Sequence, residues 1–163
     1  MLASAKGSIE IVQVLISAKA NIDLQDMNGR TALFLAALGR YHKVIEVLIA
    51  ANANINIATK DGISPLMTAA QSGDIETTNL LIKAEANLNL RDASRDKKTA
   101  LIYAIHQKHD KVVKSLINAG ADLDVGDRNG TTPLMYAAKL NHSATVSLLC
   151  KAHADINAKN QFD

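Results

Sequence analysis

The stretch DRNGTTPLM, residues 127–135, and its counterpart DMNGRTALF, residues 26–34, decide the fold, because they are two copies of one pattern. The leucine of this pattern recurs along the chain as Leu33, Leu66, Leu101 and Leu134, in steps of 33 residues with one step two residues longer. A fixed period of this size predicts stacked supersecondary units that bury a shared core between neighbours. We therefore expect the four leucines to occupy equivalent buried positions between units.

The segment 59–91 indicates what one unit contains. Gly62 marks a turn, since glycine adopts a positive φ without strain. Ser64 is a predicted helix cap, and Pro65 suits the first helical turn, where its missing N–H costs nothing. Gly73 ends this short helix, and a second helix follows it. Each unit is therefore expected to contain a hairpin turn, a short helix, a tight turn, a second helix and an extended exit.

This unit resembles the ankyrin repeat, and the resemblance extends over essentially the whole chain. The family signature Asp-x-x-Gly-x-Thr-Pro-Leu-His is matched at 26–34 and 127–135, and the exit Gly-Ala-Asp-Val-Asn at 120–124 and 153–157. The resemblance implies an all-α fold, an ankyrin-repeat solenoid of stacked antiparallel helix pairs with projecting β-hairpin loops. We expect a single array over residues 1–163. It consists of a partial unit, units 1 to 4 and the start of a further unit, at residues 1–25, 26–58, 59–91, 92–126, 127–159 and 160–163.

Two departures from the family pattern bear on stability. In the family, a histidine after the signature leucine links adjacent turns by hydrogen bonds; here the position holds Phe34, Met67, Ile102 and Met135. We therefore expect these units to depend more on apolar packing. The exit glycine is replaced by Asn52, Glu85 and His153. Asparagine tolerates a left-handed backbone, whereas glutamate and histidine accept it less readily.

Unit 3 has a longer hairpin turn than its neighbours. Six residues separate Asp92 from Thr99, where the neighbouring units have four, and none of the six is glycine. One interpretation is a lengthened loop that is tolerated at an exposed tip, because loop entropy grows slowly with length. The other is a loop that determines binding specificity, since residues 91–98 carry four cations against two carboxylates. The sequence leaves both interpretations open.

Composition restricts the class of protein. Hydrophobic residues make up 48% of the chain and aromatic residues 3%, which suits short helices that pack closely through small side chains. The net charge of +2 is too small to indicate nucleic-acid binding by itself. Cys150 is the only cysteine, which excludes an intramolecular disulfide and favours a reducing compartment. No apolar run approaches the ~18 residues of a membrane span, and the N-terminus lacks the layout of a secretory signal.

These properties predict a monomeric intracellular protein, with the cytoplasm as the expected location and the nucleus as the alternative. Repeat arrays require polar units at both ends, because an end unit buries only one face. Neither end of this sequence resembles such a unit. We therefore also expect the chain to be an excerpt from a longer array, or an array with unusual ends.

The sequence offers no residues for catalysis. It contains neither a phosphate-binding glycine-rich loop nor a nucleophile elbow. Residues 122–133 are faintly similar to a calcium loop, but Gly126 and Pro133 stand where ligands are required. His106 and His109 have a conceivable metal spacing without a third ligand beside them. Cys150 is expected to be a small buried apolar residue, because its counterparts in other units are isoleucines. We therefore expect no enzyme activity, no cofactor and no metal.

The family resemblance implies where a partner would bind: the hairpin tips and the exposed face of the first helices. Tyr103 and Tyr136 hold equivalent positions in adjacent units and are expected to stand side by side. Tyrosine is favoured at recognition surfaces because it covers a large area at low entropic cost. The alternative is that both rings pack between helices while their hydroxyls reach solvent. The residues expected to bind protein are Arg30, Lys60, Arg95, Lys97, Lys98, Tyr103, His106, Gln107, Arg128, Tyr136 and Lys139.

The sequence is compatible with three functions. The leading hypothesis is a scaffold that binds a partner protein through the tips and the concave face of the first helices. The second is a targeting or regulatory segment of a larger enzyme or host-directed effector, whose catalytic domain lies outside this chain. The third, nucleic-acid binding through basic tips, is disfavoured because acidic residues are interleaved and no stacking platform is evident. The expected partner is another protein, whose identity the sequence does not give.

Overall fold

The computed structural model describes residues 1–162 and has ten helices and no strand in that range. The first short helix of each unit begins after the hairpin turn, and the second helix returns beside it. The helices are α1 (Leu2–Ala5), α2 (Ile9–Ser17), α3 (Ala32–Leu38), α4 (His42–Ala50), α5 (Pro65–Ser72), α6 (Ile75–Lys83), α7 (Ala100–His106), α8 (Asp110–Asn118), α9 (Pro133–Lys139) and α10 (Ser143–Lys151). This confirms the predicted all-α solenoid.

The helices form two columns. Helices α1, α3, α5, α7 and α9 pack on one another in succession, and so do α2, α4, α6, α8 and α10. Each first helix also packs on the second helix of its own unit. A repeat of this kind therefore contacts only its neighbours, and the core is continuous along the stack.

The first helices of the four full units begin at hydroxyl caps. Thr31, Ser64, Thr99 and Thr132 each accept a hydrogen bond from the amide three residues later, over 3.1 to 3.3 Å. In two units the methionine that replaces the family histidine completes the cap, because its sulfur accepts the amide of the cap residue. The distances are 3.5 Å from Ser64 N to Met67 Sδ and 3.4 Å from Thr132 N to Met135 Sδ.

The repeated leucines confirm three of the four expected burial positions. Leu33, Leu66 and Leu101 are at most 2% exposed, because each is covered by helices on both sides. Leu134 is only half-buried, so the prediction of equivalent burial is wrong for this residue. Its helix, α9, packs on α7 and α10, and within residues 1–162 no further helix pair lies beyond it.

The expected burial of Cys150 is also wrong, since the thiol is exposed. Its counterparts Ile49, Ile82 and Ile117 are half-buried and pack against the core beside the next second helix. Helix α10 has no such neighbour among the described residues, and the same position is therefore open. Residues at the same position of the repeat lie at equivalent places on their helices. Whether such a residue is buried depends on whether a further unit packs beside it.

Neighbouring units are connected by a ladder of side-chain hydrogen bonds at the unit exits. Asp23 Oδ1 accepts the amide of Asn54 at 2.9 Å, and Asp124 Oδ1 accepts the amide of Asp155 at 2.8 Å. The two intermediate rungs run from Asn87 N to Asn56 Oδ1 and from Asp122 N to Asn89 Oδ1, each 2.9 Å. Short Asx side chains at this position therefore satisfy backbone amides that the helices leave unpaired.

The backbone is left-handed at each replaced exit glycine. The φ angles are 62° at Asn52, 62° at Glu85 and 66° at His153. Residues with a Cβ carry a steric cost in this conformation, and the cost is lowest for asparagine. In units 2 and 4, the packing of the units therefore imposes the left-handed backbone of the exit turn, against the conformational preference of Glu85 and His153.

A histidine bridges each junction between the four full units. His42 Nε2 lies 3.0 Å from Asp74 Oδ2, and His142 Nε2 lies 3.0 Å from Asp110 Oδ1. At the middle junction, His109 Nε2 lies 3.2 Å from the carbonyl oxygen of Gln71. Each bridge links the start of a second helix to the adjacent unit, and the three therefore stabilise the same edge of the stack.

Candidate functional site

The candidate site is built from the hairpin turns and the first helices of units 3 and 4. In the standard turn of unit 4, Asp127 N donates to Thr131 O at 3.0 Å, and Gly130 N donates to Asp127 O at 3.1 Å. Asp127 Oδ1 also accepts the amides of Asn129 and Thr131 at 2.8 and 2.9 Å. The carboxylate is thus part of the turn, and its second oxygen is left for one more donor.

That second oxygen has a different donor in unit 1 and in units 3 and 4. In unit 1, Asp26 Oδ2 lies 2.7 Å from both Nε and Nη2 of Arg30. In units 3 and 4 a tyrosine of the first helix replaces the arginine. Tyr103 donates its hydroxyl to Asp92 Oδ2 at 2.6 Å, and Tyr136 donates to Asp127 Oδ2 at 2.8 Å. One interpretation of the sequence placed these hydroxyls in solvent. The structure instead directs both of them to aspartate side chains.

These bonds and the burial of the groups shift the pKa values of both tyrosines and of Asp127. Burial raises the pKa of Tyr103 and of Tyr136 well above the usual range, and the adjacent Asp92 and Asp127 carboxylates raise it further. Burial alone raises the pKa of Asp127, but the hydrogen bonds from Tyr136 and from the turn amides outweigh it and leave that pKa lowered. The shifts reinforce the ordinary states at neutral pH, in which the tyrosines are neutral donors and Asp127 is a charged acceptor.

The longer turn of unit 3 retains the hydrogen-bonding pattern of the unit 4 turn. Asp92 N donates to Lys98 O at 3.0 Å, which closes the turn as Asp127 and Thr131 do in unit 4. Ser94 donates its amide and its hydroxyl to Asp92 Oδ1, at 3.0 and 2.6 Å. The extra residues leave the contact with the next tip intact, because Arg128 N donates to Asp96 O at 2.7 Å.

The charged side chains at these tips differ in whether they have partners. Lys98 Nζ lies 2.7 Å from Asp96 Oδ2. Arg95, Lys97 and Arg128 are exposed, and their side chains have no hydrogen-bond or ion-pair partner within residues 1–162. We refer to these three residues as the tip cations. The tips therefore direct unpaired positive charge outward.

A pocket of about 450 Å³ opens beside Tyr136, between the tip of unit 4 and helix α9. Met135, Lys139 and Phe162 also line it, and Lys139 is exposed. The His106 ring meets the Tyr136 ring edge-on, with centroids 6.4 Å apart and an interplanar angle of 72°. Tyr136 is thus held at both its ring and its hydroxyl, and it presents a fixed apolar surface to this pocket.

The sequence-predicted site residues divide into two groups. Those of units 3 and 4 lie on the tips or on α7 and α9, and Gln107 is exposed at the end of α7. Arg30 and Lys60 lie on the tips of units 1 and 2, and Arg30 is already paired with Asp26. The ring that Tyr136 meets is that of His106 rather than that of Tyr103.

Sequence reasoning missed the two aspartates that anchor the tyrosines. Asp92 is 1% exposed and Asp127 is 7% exposed, which is rare for aspartate and reflects complete hydrogen bonding. The sequence does contain a signal for these bonds, namely that a turn aspartate and a first-helix tyrosine occur together in the same unit. Units 3 and 4 combine the turn aspartate with a first-helix tyrosine, whereas unit 2 has Thr59 and Thr68 at the two positions.

Residues 1–162 contain no group of three or more metal-ligating side chains with suitable geometry. Over the same range, no helix has the length and apolar character that crossing a membrane requires.

The family model for ankyrin repeats (3 copies) matches residues 1–92 and 66–160. These matches cover nearly all of the sequence, and the chain belongs to the ankyrin repeat family. A comparison with curated proteins found no significant match. Ankyrin repeats are generally protein–protein interaction modules and are typically not catalytic.

Proposed function

We propose that this chain is a scaffold that binds a partner protein through the tips and first helices of units 3 and 4. The binding surface comprises Tyr103, His106, Gln107, Tyr136, Lys139 and the tips at 91–98 and 128–131. The observation that carries the proposal is the Tyr136 ring, fixed between His106 and Asp127 beside an open pocket. A ring held in this way loses little conformational freedom when a partner covers it.

In this proposal the chain acts as a monomer in the cytoplasm, where the exposed Cys150 thiol stays reduced. Arg30 and Lys60 extend the surface toward units 1 and 2 when the partner is long enough to reach their tips.

The test begins with the immobilised chain, which captures partners from a cell lysate for identification. Binding rates are then measured for a variant that carries His106→Ala, Gln107→Ala and Lys139→Ala. These three exposed residues take no part in the turn hydrogen bonds, and the variant is expected to dissociate faster, because affinity differences among variants reside mainly in dissociation. A matched control carries Lys111→Ala, Lys114→Ala and Asn118→Ala, all exposed on α8.

Shortening the unit 3 turn to the length of its neighbours is expected to slow association, with a smaller effect at high salt. Equal rates for the first-helix variant and the α8 control would move the site away from units 3 and 4. The tips of units 1 and 2 would then be the next surface to examine.

A further inference from the structure

We infer that the partner contributes an acidic segment, which the tip cations Arg95, Lys97 and Arg128 recognise. This inference rests on the proposed function, and it specifies the chemistry of the partner. At these tips the carboxylates have partners within the protein, whereas the tip cations have none within residues 1–162.

Every carboxylate at the two tips is satisfied within the chain. Asp92 and Asp127 point inward, where turn amides, the Ser94 hydroxyl and the tyrosine hydroxyls donate to them. Asp96 is exposed but pairs with Lys98. No carboxylate at these tips therefore forms an ion pair with a tip cation.

Unit 1 shows what happens when the tyrosine is missing. There the first helix has Leu35 at the position of Tyr103, and the turn aspartate instead pairs with Arg30 of its own tip. A tyrosine hydroxyl provides the same hydrogen bond without a charge. At the position of Arg30, unit 3 has Lys98 and unit 4 has Thr131. The tyrosines thus satisfy the buried carboxylates, and none of the tip cations takes part in that bonding.

An acidic protein segment fits this surface better than a nucleic acid does. Non-specific nucleic-acid binding uses a continuous basic groove with aromatic faces on which bases stack. Here the ring of Tyr136 meets His106, and exposed Asp61 and Asp96 interrupt the row of tips. Three exposed cations, carried by the tips of the same two units as Tyr136, instead match a short segment that combines carboxylates with an apolar side chain.

The experiment uses the full chain and dye-labelled ten-residue peptides, with binding followed by fluorescence anisotropy. One peptide alternates glutamate with leucine, a second alternates lysine with leucine, and a third alternates serine with leucine. A twenty-nucleotide single-stranded DNA is the fourth probe. The test variant carries Arg95→Gln, Lys97→Asn and Arg128→Gln; asparagine is used at 97 because that backbone is left-handed. The matched control carries Lys83→Gln, Lys111→Gln and Lys114→Gln, three exposed lysines of second helices.

We expect the glutamate peptide to bind in preference to the other three probes, and more weakly as salt rises. The test variant is expected to lose roughly tenfold in affinity, and the control less than about twofold, since each exposed ion pair contributes modestly. Equal binding of the serine and glutamate peptides, equal losses in both variants, or preference for DNA would each overturn the inference.

The captured partner separates this inference from the proposed function. If binding of the captured partner depends on His106 and Lys139 but is unchanged in the tip-cation variant, the proposed surface is supported. The inference that the partner contributes an acidic segment is then wrong. If neither variant changes the binding of the partner, both the inference and the proposed surface are wrong.

Discussion

Lys97 and Gly130 occupy the same place in the hairpin turns of units 3 and 4, and both backbones are left-handed, with φ of 56° and 78°. Each lies one residue before the carbonyl that closes its turn, that of Lys98 or Thr131. Glycine adopts this conformation freely, whereas a lysine pays a steric cost there. The longer turn of unit 3 therefore keeps the geometry of the shorter ones at the expense of local strain.

Replacing Lys97 by glycine is expected to increase the free energy of unfolding by about 1 kcal/mol, because the left-handed backbone then carries no Cβ. Urea denaturation provides the measurement. Lys97→Ala, which removes the same charge and keeps the Cβ, is the control and should give no gain. A glycine variant that is less stable than the parent would show that flexibility of the unfolded chain outweighs the strain.

Truncating a central leucine is expected to cost more than truncating Leu134. Leu66→Ala and Leu101→Ala should lower the free energy of unfolding by about 2–5 kcal/mol, as large-to-small changes in a packed core do. Leu134→Ala should cost roughly half as much, because that side chain is half-buried before the change. Urea denaturation of the three variants compares them directly, and equal losses at Leu101 and Leu134 would contradict the burial described above.

Tyr136→Phe removes the hydroxyl that donates to Asp127 and keeps the ring. We expect a loss of about 1–2 kcal/mol in the free energy of unfolding, since a buried carboxylate then lacks one donor. Tyr41→Phe is a suitable control, because that hydroxyl makes no hydrogen bond within residues 1–162. If binding to the captured partner survives Tyr136→Phe but not Tyr136→Ala, the ring rather than the hydroxyl contacts the partner.

Acidification should destabilise the protein through Asp127. Its folded pKa lies below 3.8, despite the opposing effect of burial, so the unfolded chain binds the proton more tightly. The stabilisation is complete above 3.8 and is lost as the pH falls through the folded pKa. Denaturant midpoints measured between pH 6 and about pH 2 should decline less steeply for Asp127→Asn than for the parent.

Asp61→Asn serves as the control for this pH series, because Asp61 is exposed and its carboxylate has no partner among the described residues. Its decline should follow that of the parent. Parallel curves for all three proteins would exclude Asp127 as a source of acid sensitivity.

His142→Ala should loosen the junction between units 3 and 4, because it removes the contacts with Asp110 and with Thr145. We expect faster hydrogen exchange in α10 and a loss of about 0.5–1.5 kcal/mol in local stability. Ser147→Ala, at an exposed position of the same helix, is the control. Uniform acceleration over all units would indicate that the stack opens as one body instead.

The repeat period and the turn residues were sufficient to predict the helices, the Ser64 cap and the buried leucines of the central units. These features are local, or they recur with each unit, and a single sequence displays them. The tyrosine–aspartate bonds were not predicted, because they depend on a pairing present only in units 3 and 4. The half-burial of Leu134 and the exposure of Cys150 depend on which units lie on either side, and the position within a repeat does not encode this.

The bond from Arg128 N to Asp96 O has a consequence for how such an array can change. Unit 3 has two extra residues in its turn, yet Asp96 still meets the next tip as its counterparts do in the shorter units. The segment between Asp92 and Asp96 thus varies in length without moving the helices, and each doubling of a flexible loop costs only about 0.6 kcal/mol. This segment is therefore a natural insertion point, where new peptide sequences can be grafted while the register of the whole solenoid is retained.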